Sequence, residues 1–187
     1  MRKSIYCILF LLITTLMGAA DKPPKANRII SDAKSRAVAE HKSIFLVFGA
    51  SWCPGCHSLN TFLKDPEVAA IFDKYFVMAE LNVAEEMGDH PERNNEGSLE
   101  LLQKYGGISP KGDVALPFFV VLDGKGSELV TSNRAGKGKD PSQAIGFPTE
   151  PEEIRWFIQM MKRGADALTA DEAQTIEEKL RKAGEDE

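Results

Sequence analysis

Ile44-Phe45-Leu46-Val47-Phe48 is the segment that most restricts the fold. It is an unbroken apolar run, mostly β-branched or aromatic, held between Ser43 and Gly49. A strand with one face in water alternates apolar and polar residues, so this run predicts a strand buried on both faces, as in parallel sheets. Such a sheet needs helices on either side. The chain passes at once through Ala50 to Cys53 into a helix predicted from Pro54 to Lys64. Asp65-Pro66 restarts the helix, because Asp65 can cap and Pro66 suits a first helical turn.

The rest of the chain supplies the partners of that strand. Ala26, Ile29, Ile30, Ala33, Ala37 and Val38 recur at helical spacing between Pro23-Pro24 and His41. Phe76 to Val83 reads as a second strand. Ala84 to Ala115 is looser, with a helix around Ser98 to Tyr105 that Gly106-Gly107 ends. Leu116 to Leu122 is a third strand; Asp123-Gly124-Lys125-Gly126 turns it, and Glu128 to Thr131 returns as a fourth. A loop covers Ser132 to Thr149. Helix resumes at Glu152 with Ile154, Phe157, Ile158 and Met161 on one face. A last helix starts at Thr169, where Thr169 and Glu172 form a capping box ahead of Ala173, Ile176 and Leu180. A βαβ unit followed by a β-hairpin and helices predicts an α/β fold: one mixed four-stranded sheet flanked by helices, with an extra C-terminal helix.

Met1-Arg2-Lys3, an apolar stretch from Ile5 to Met17 and the small residues Gly18-Ala19-Ala20 have the layout of a secretory signal peptide. The stretch is shorter than the roughly 20 residues a spanning helix needs, so cleavage near Ala20 is expected over an anchor. No later stretch is apolar enough to span a bilayer. The expected division is a signal peptide at 1–20 and one domain at 21–187, with its core at about 26–163 and a helical extension at 164–187. Without Arg2 and Lys3, the 23 basic residues become 21 against 28 acidic ones, a net charge of −7. That balance argues against nucleic acid as a partner.

Of three cysteines, Cys7 leaves with the signal peptide, and Cys53 and Cys56 remain. A disulfide between them closes very little chain and stabilises little. Its place is therefore explained better by reactivity. At the start of a helix, backbone N–H groups and the macrodipole favour a thiolate on Cys53, the attacking species in disulfide exchange. Cys56, one turn on, is expected on the same side and deeper, where it can resolve a mixed disulfide.

Phe48 to Cys56 (FGASWCPGC), followed by Leu116-Pro117 ahead of an apolar strand, resembles the thioredoxin superfamily. The resemblance covers roughly residues 26–163. The N-terminal helix, Trp52-Cys53-Pro54-Gly55-Cys56, Asp65-Pro66-Glu67-Val68 and Phe76-Val77 look most similar to its secreted branch, which includes the C-terminal domain of the transmembrane reductant DsbD. The resemblance implies a thioredoxin-like fold and thiol–disulfide oxidoreductase activity, with Cys53 as nucleophile and Cys56 as resolving thiol. It implies a cis Pro117 facing the dithiol, with the Leu116 backbone beside the sulfurs to pair with a substrate segment. No cofactor is expected beyond the redox-active Cys53–Cys56 pair. The implied partners are thiols and disulfides of exported proteins and a membrane electron donor or acceptor, with a lean towards reductant. The order Pro54-Gly55 reverses the usual thioredoxin pair, and Val47 stands where thioredoxins bury an acid; Glu80 is a candidate replacement.

Other residues have plainer readings. Trp52 is expected to shield the dithiol and contact substrate. His57 reads as a surface side chain, and Phe118, Phe119 and Trp156 as core. The acidic stretch from Glu85 to Glu100 and the basic residues Arg134, Lys137 and Lys139 read as solvated loops. The alternative to an enzyme is a thioredoxin-like binding module, or a copper or zinc chaperone using Cys53, Cys56 and two of His41, His57 and His90. Those histidines lie on different elements, and no second close-spaced pair accompanies them. Gly184-Glu185-Asp186-Glu187 is not an endoplasmic-reticulum retention sequence, so periplasm or secretion is the expected location.

Overall fold

The computed structural model describes residues 22–135 and 141–185. The signal-peptide reading of 1–20 and the residues Lys137 and Lys139 lie outside that range. The element order is α1 (Ala26–Glu40), β1 (Ser43–Gly49), α2 (Pro54–Leu63), α3 (Pro66–Tyr75), β2 (Phe76–Asn82), α4 (Ser98–Tyr105), β3 (Phe118–Leu122), β4 (Glu128–Thr131), α5 (Pro151–Gly164) and α6 (Ala170–Glu185). Short 3-10 turns at Glu85–Gly88, Pro91–Arg93 and Pro141–Gln143 interrupt the connections.

The apolar run forms the centre of a four-stranded sheet ordered β2-β1-β3-β4. β2 pairs with β1 in parallel, β3 pairs with it antiparallel, and β4 closes the hairpin on β3. Alternation along β1 sends its side chains to two cores. Phe45 and Val47 join Phe119, Val121 and helices α2, α3, α5 and α6 on one face. Ile44, Leu46 and Phe48 join Val120, Leu122, α1 and α4 on the other. Phe45 anchors the larger core edge-on to Phe72, Phe76 and Phe157 at ring separations of 5.1–5.9 Å. Each such buried side chain contributes about 1.5–3 kcal/mol.

The local signals act as the sequence implies. The Asp65 carboxylate accepts the N–H groups of Glu67 and Val68 and starts α3. Gly106, left-handed at φ 88°, ends α4. Thr169 and Glu172 exchange bonds at the start of α6. Two expectations shift. β3 begins at Phe118 and not at Leu116, which leaves Leu116 outside the ladder. The stretch 85–100 is no solvated loop throughout, because Glu85, Asn95 and Ser98 are buried. Asn95 accepts the Asn82 N–H and donates to the Pro24 carbonyl, and the Ser98 hydroxyl donates to the Asn82 carbonyl. These bonds fasten the insert to the end of β2 and to the chain entering α1. Among the described residues no helix is long and apolar enough to cross a membrane.

Candidate active site

β1 ends at Gly49, and the next four residues turn the chain into α2. The turn is closed by Cys53 N–H donating to the Ala50 carbonyl at 3.2 Å. Cys53 is the N-cap of α2 and Pro54 its first residue, where the missing N–H costs nothing. The Cys53 Sγ accepts the Cys56 N–H at 3.2 Å, and the two cysteines are joined as a disulfide with Cα atoms 5.3 Å apart. A sulfur at this place receives a helix N–H and the positive end of the macrodipole.

The depth of the two cysteines is the reverse of the expectation. Cys53 is 3% exposed, whereas Cys56 is only half-buried and faces a cleft of about 230 Å³. Phe147 lies against α2, beside Gly55 and with its ring 6.2 Å from that of Phe62. A Cβ on Gly55 would sit 3.2 Å from Pro117 Cδ and 3.6 Å from Phe147 Cβ, so glycine lets these layers close. Pro117 is buried, and its peptide with Leu116 is cis. The cleft on the other side of the helix leaves Cys56 open.

The cleft gathers Cys56 and His57 of α2, Glu80 of β2, and Glu85 and Arg93 of the insert. Val47 and Glu80 are neighbours across β1 and β2 and both line it. Glu80 is exposed, while Glu85, which the sequence reading did not single out, is 1% exposed. Its carboxylate accepts the Ser51 N–H at 2.9 Å and the Ser51 hydroxyl at 2.6 Å. Arg93 donates to the same hydroxyl at 3.1 Å. Nothing in the sequence separates Glu85 from Glu86 beside it; only the path of the insert selects it. Phe147 likewise carries no mark in the sequence beyond Pro148 after it, which favours extended backbone.

Trp52 is half-buried, and its indole N–H donates to the Ala84 carbonyl at 2.7 Å. His57 is exposed, with Nε2 2.9 Å from the Ser51 carbonyl. His41 caps the end of α1 and His90 sits against Glu92, so the three histidines are not brought together. Among the described residues no three His, Cys, Asp or Glu side chains gather as a metal site. Phe118 and Phe119 are fully buried, and Trp156 is half-buried, donating to the Thr131 carbonyl.

No curated protein matches the chain. Among solved structures it is similar to a disulphide isomerase from Xylella fastidiosa Temecula1. That match has 22% identity and a TM-score of 0.50, covering 87% of this chain and 93% of that one. The C-terminal domain of DsbD from Neisseria meningitidis, in its oxidised form, matches at 19% identity and a TM-score of 0.40, covering 75% and 99%. A thioredoxin from Thermus thermophilus matches at 23% and 0.40, covering 73% and 87%. A family profile described as thioredoxin-like matches residues 26–124, which hold β1, the dithiol, β2 and β3. With its mixed four-stranded sheet and a Cys-x-x-Cys disulfide at the strand-to-helix turn, the chain belongs to the thioredoxin-like family.

Proposed function

We propose that the protein is an exported thiol–disulfide oxidoreductase that reduces disulfides of exported proteins through Cys53 and Cys56. The observation that carries the reading is the Cys53 sulfur at the N-cap of α2, bonded to a helix N–H and linked to Cys56. In the reduced protein the Cys53 thiolate attacks one sulfur of a client disulfide. The client S–S bond breaks, and its other sulfur leaves as a thiolate that takes a proton. Cys56, open to the cleft, then loses its proton and attacks Cys53. The mixed disulfide breaks, the second client thiol leaves, and two electrons have moved to the client. A thiol donor, such as a membrane-bound dithiol, restores the pair. Trp52, Pro54, Gly55, Leu116 and Pro117 form the surround in which the client segment lies. Export rests on the N-terminal sequence, and the reductive direction on the family resemblance.

Catalysis of insulin reduction by dithiothreitol tests the activity, with activity abolished in Cys53→Ser as the expected result. Equal rates in wild type and variant refute the enzyme and leave a binding module. A reduction potential near about −270 mV fits a reductant, and one near about −120 to −180 mV an oxidant or isomerase.

A further inference from the structure

The turn after β2 is held more firmly than a solvated loop requires. Ala84 and Asp89, at its two ends, take left-handed φ values of 56° and 61°, unfavourable for a residue with a Cβ and least unusual for Asp. Between them the buried Glu85 carboxylate binds the turn to Ser51, and the Ala84 carbonyl binds it to the Trp52 indole. Gly88 lies flat on Trp52, so that a Cβ there would be 2.7 Å from the indole Cδ1. At the tip, Met87 is 64% exposed, the most exposed of the large apolar side chains among the described residues. Burial, strain and hydrogen bonds thus hold an apolar side chain in water, two residues beyond the buried Glu85 and next in the chain to Gly88, which packs on the tryptophan that precedes Cys53.

The charged residues that flank Met87 in the turn, Glu86 and Asp89, are both acidic, and Arg93 of the same insert lies against Glu92 and the Ser51 hydroxyl. Glu86 and Asp89 are exposed, and among the described residues neither is in an ion pair; Glu86 accepts from the Asn94 amide at 2.8 Å. The nearby Glu92, by contrast, sits against His90 and Arg93.

We propose that residues 84–89 form the docking strap for the exchange partner. Its occupant is an extended polypeptide segment with an apolar side chain for Met87, flanked by lysine or arginine for Glu86 and Asp89. Methionine suits this because its unbranched thioether adapts to apolar groups of different shape. The acidic flanks favour a basic client and steer it in. From the strap the segment continues along the half-exposed Trp52 to Cys53. The inference rests on the thiol-exchange reading, and the test separates the two.

Two disulfide-containing peptides, identical except for lysine or glutamate flanking one apolar residue, are reduced by the protein in parallel with bis(2-hydroxyethyl) disulfide, which has no side chains. The lysine peptide is expected to be reduced faster by about threefold, the scale of a few exposed charge contacts, and high salt should erase the difference. The double variant Glu86→Gln/Asp89→Asn should remove it at low salt; both substitutions keep the local bonding and Asn tolerates the left-handed φ. In Met87→Ser the ratio of peptide to small-disulfide kcat/KM should fall about fivefold, as for loss of one partly buried apolar contact. Equal rates for the two peptides, or a constant ratio in Met87→Ser, overturn the docking strap. If no disulfide is reduced, the exchange reading fails, and binding of a labelled, cysteine-free lysine peptide then decides the strap alone. Binding that Met87→Ser weakens supports it, and no binding overturns it.

Discussion

Glu85 concentrates the polar cost of the site in one side chain. A carboxylate that is 1% exposed must have its oxygens occupied, and Ser51 occupies both. Glu85→Ala should therefore destabilise the protein by about 1–3 kcal/mol, since it empties the space and strands the Ser51 donors. Glu85→Gln keeps the shape and an acceptor and should cost about 1 kcal/mol or less. Urea midpoints of the two variants check this, and equal losses would mean that charge outweighs shape. At this scale the sequence was legible where chemistry is carried by spacing: two residues between Cys53 and Cys56 on a helix start allow only a close pair. It was not legible where depth decides. Glu80, Glu85 and Glu86 are alike as letters, and the insert's route alone buries one of them. The same holds for the cysteines, whose relative burial does not follow from their spacing.

At the scale of elements, α5 shows packing overriding propensity. Its last residue, Gly164, sits where a Cβ would lie 2.5 Å from Val121 Cγ1 and 2.7 Å from Phe76 Cε1. Helix propensity favours alanine over glycine by at most about 1 kcal/mol, whereas overpacking a well-filled core costs about 1–3 kcal/mol. Gly164→Ala should thus lower stability, and a raised melting temperature would show that the helix end can move away from the sheet. Caps and breaks of the helices were readable because they are local: Asp65-Pro66, Gly106 and the Thr169–Glu172 pair each act within a turn. β3 starts two residues later than composition alone implies, because the apolar run includes Leu116 and Pro117 although the ladder begins only at Phe118.

For the whole molecule, α6 is part of the fold and not an appendage. Ile176 and Leu180 are fully buried in the core shared with α2, α3 and α5. Lys179 pairs with Asp65 at 2.8 Å and holds that carboxyl below its ordinary value. Glu172 accepts from Lys74 at 2.8 Å, from the Thr169 N–H and from the Tyr75 hydroxyl. The Lys74 bond first, then that N–H, lowers its pKa from 4.5 to about 2. A carboxyl depressed in the folded state stabilises it above the unfolded pKa, and that contribution is lost as pH falls from about 4.5 towards 2. Solvent screening at this partly exposed pair holds the effect to about 1 kcal/mol. Denaturation midpoints measured from pH 6 to pH 2 should fall less steeply in Glu172→Gln than in wild type, and parallel profiles would count against the assignment.

What the sequence by itself determined follows from local and periodic physics. The apolar run of β1, the helix caps, the hairpin and the Cys-x-x-Cys spacing each act within a few residues. Together they leave room for little besides a mixed sheet with a dithiol just beyond the end of a central strand. The tertiary structure decided everything that depends on which distant segments meet. It buried Glu85, set Cys56 on an open cleft with Cys53 less exposed, packed Gly88 on Trp52 and raised Met87 into solvent. Burial belongs to the packed chain as a whole, because a side chain's access to water is set by every layer that crosses it.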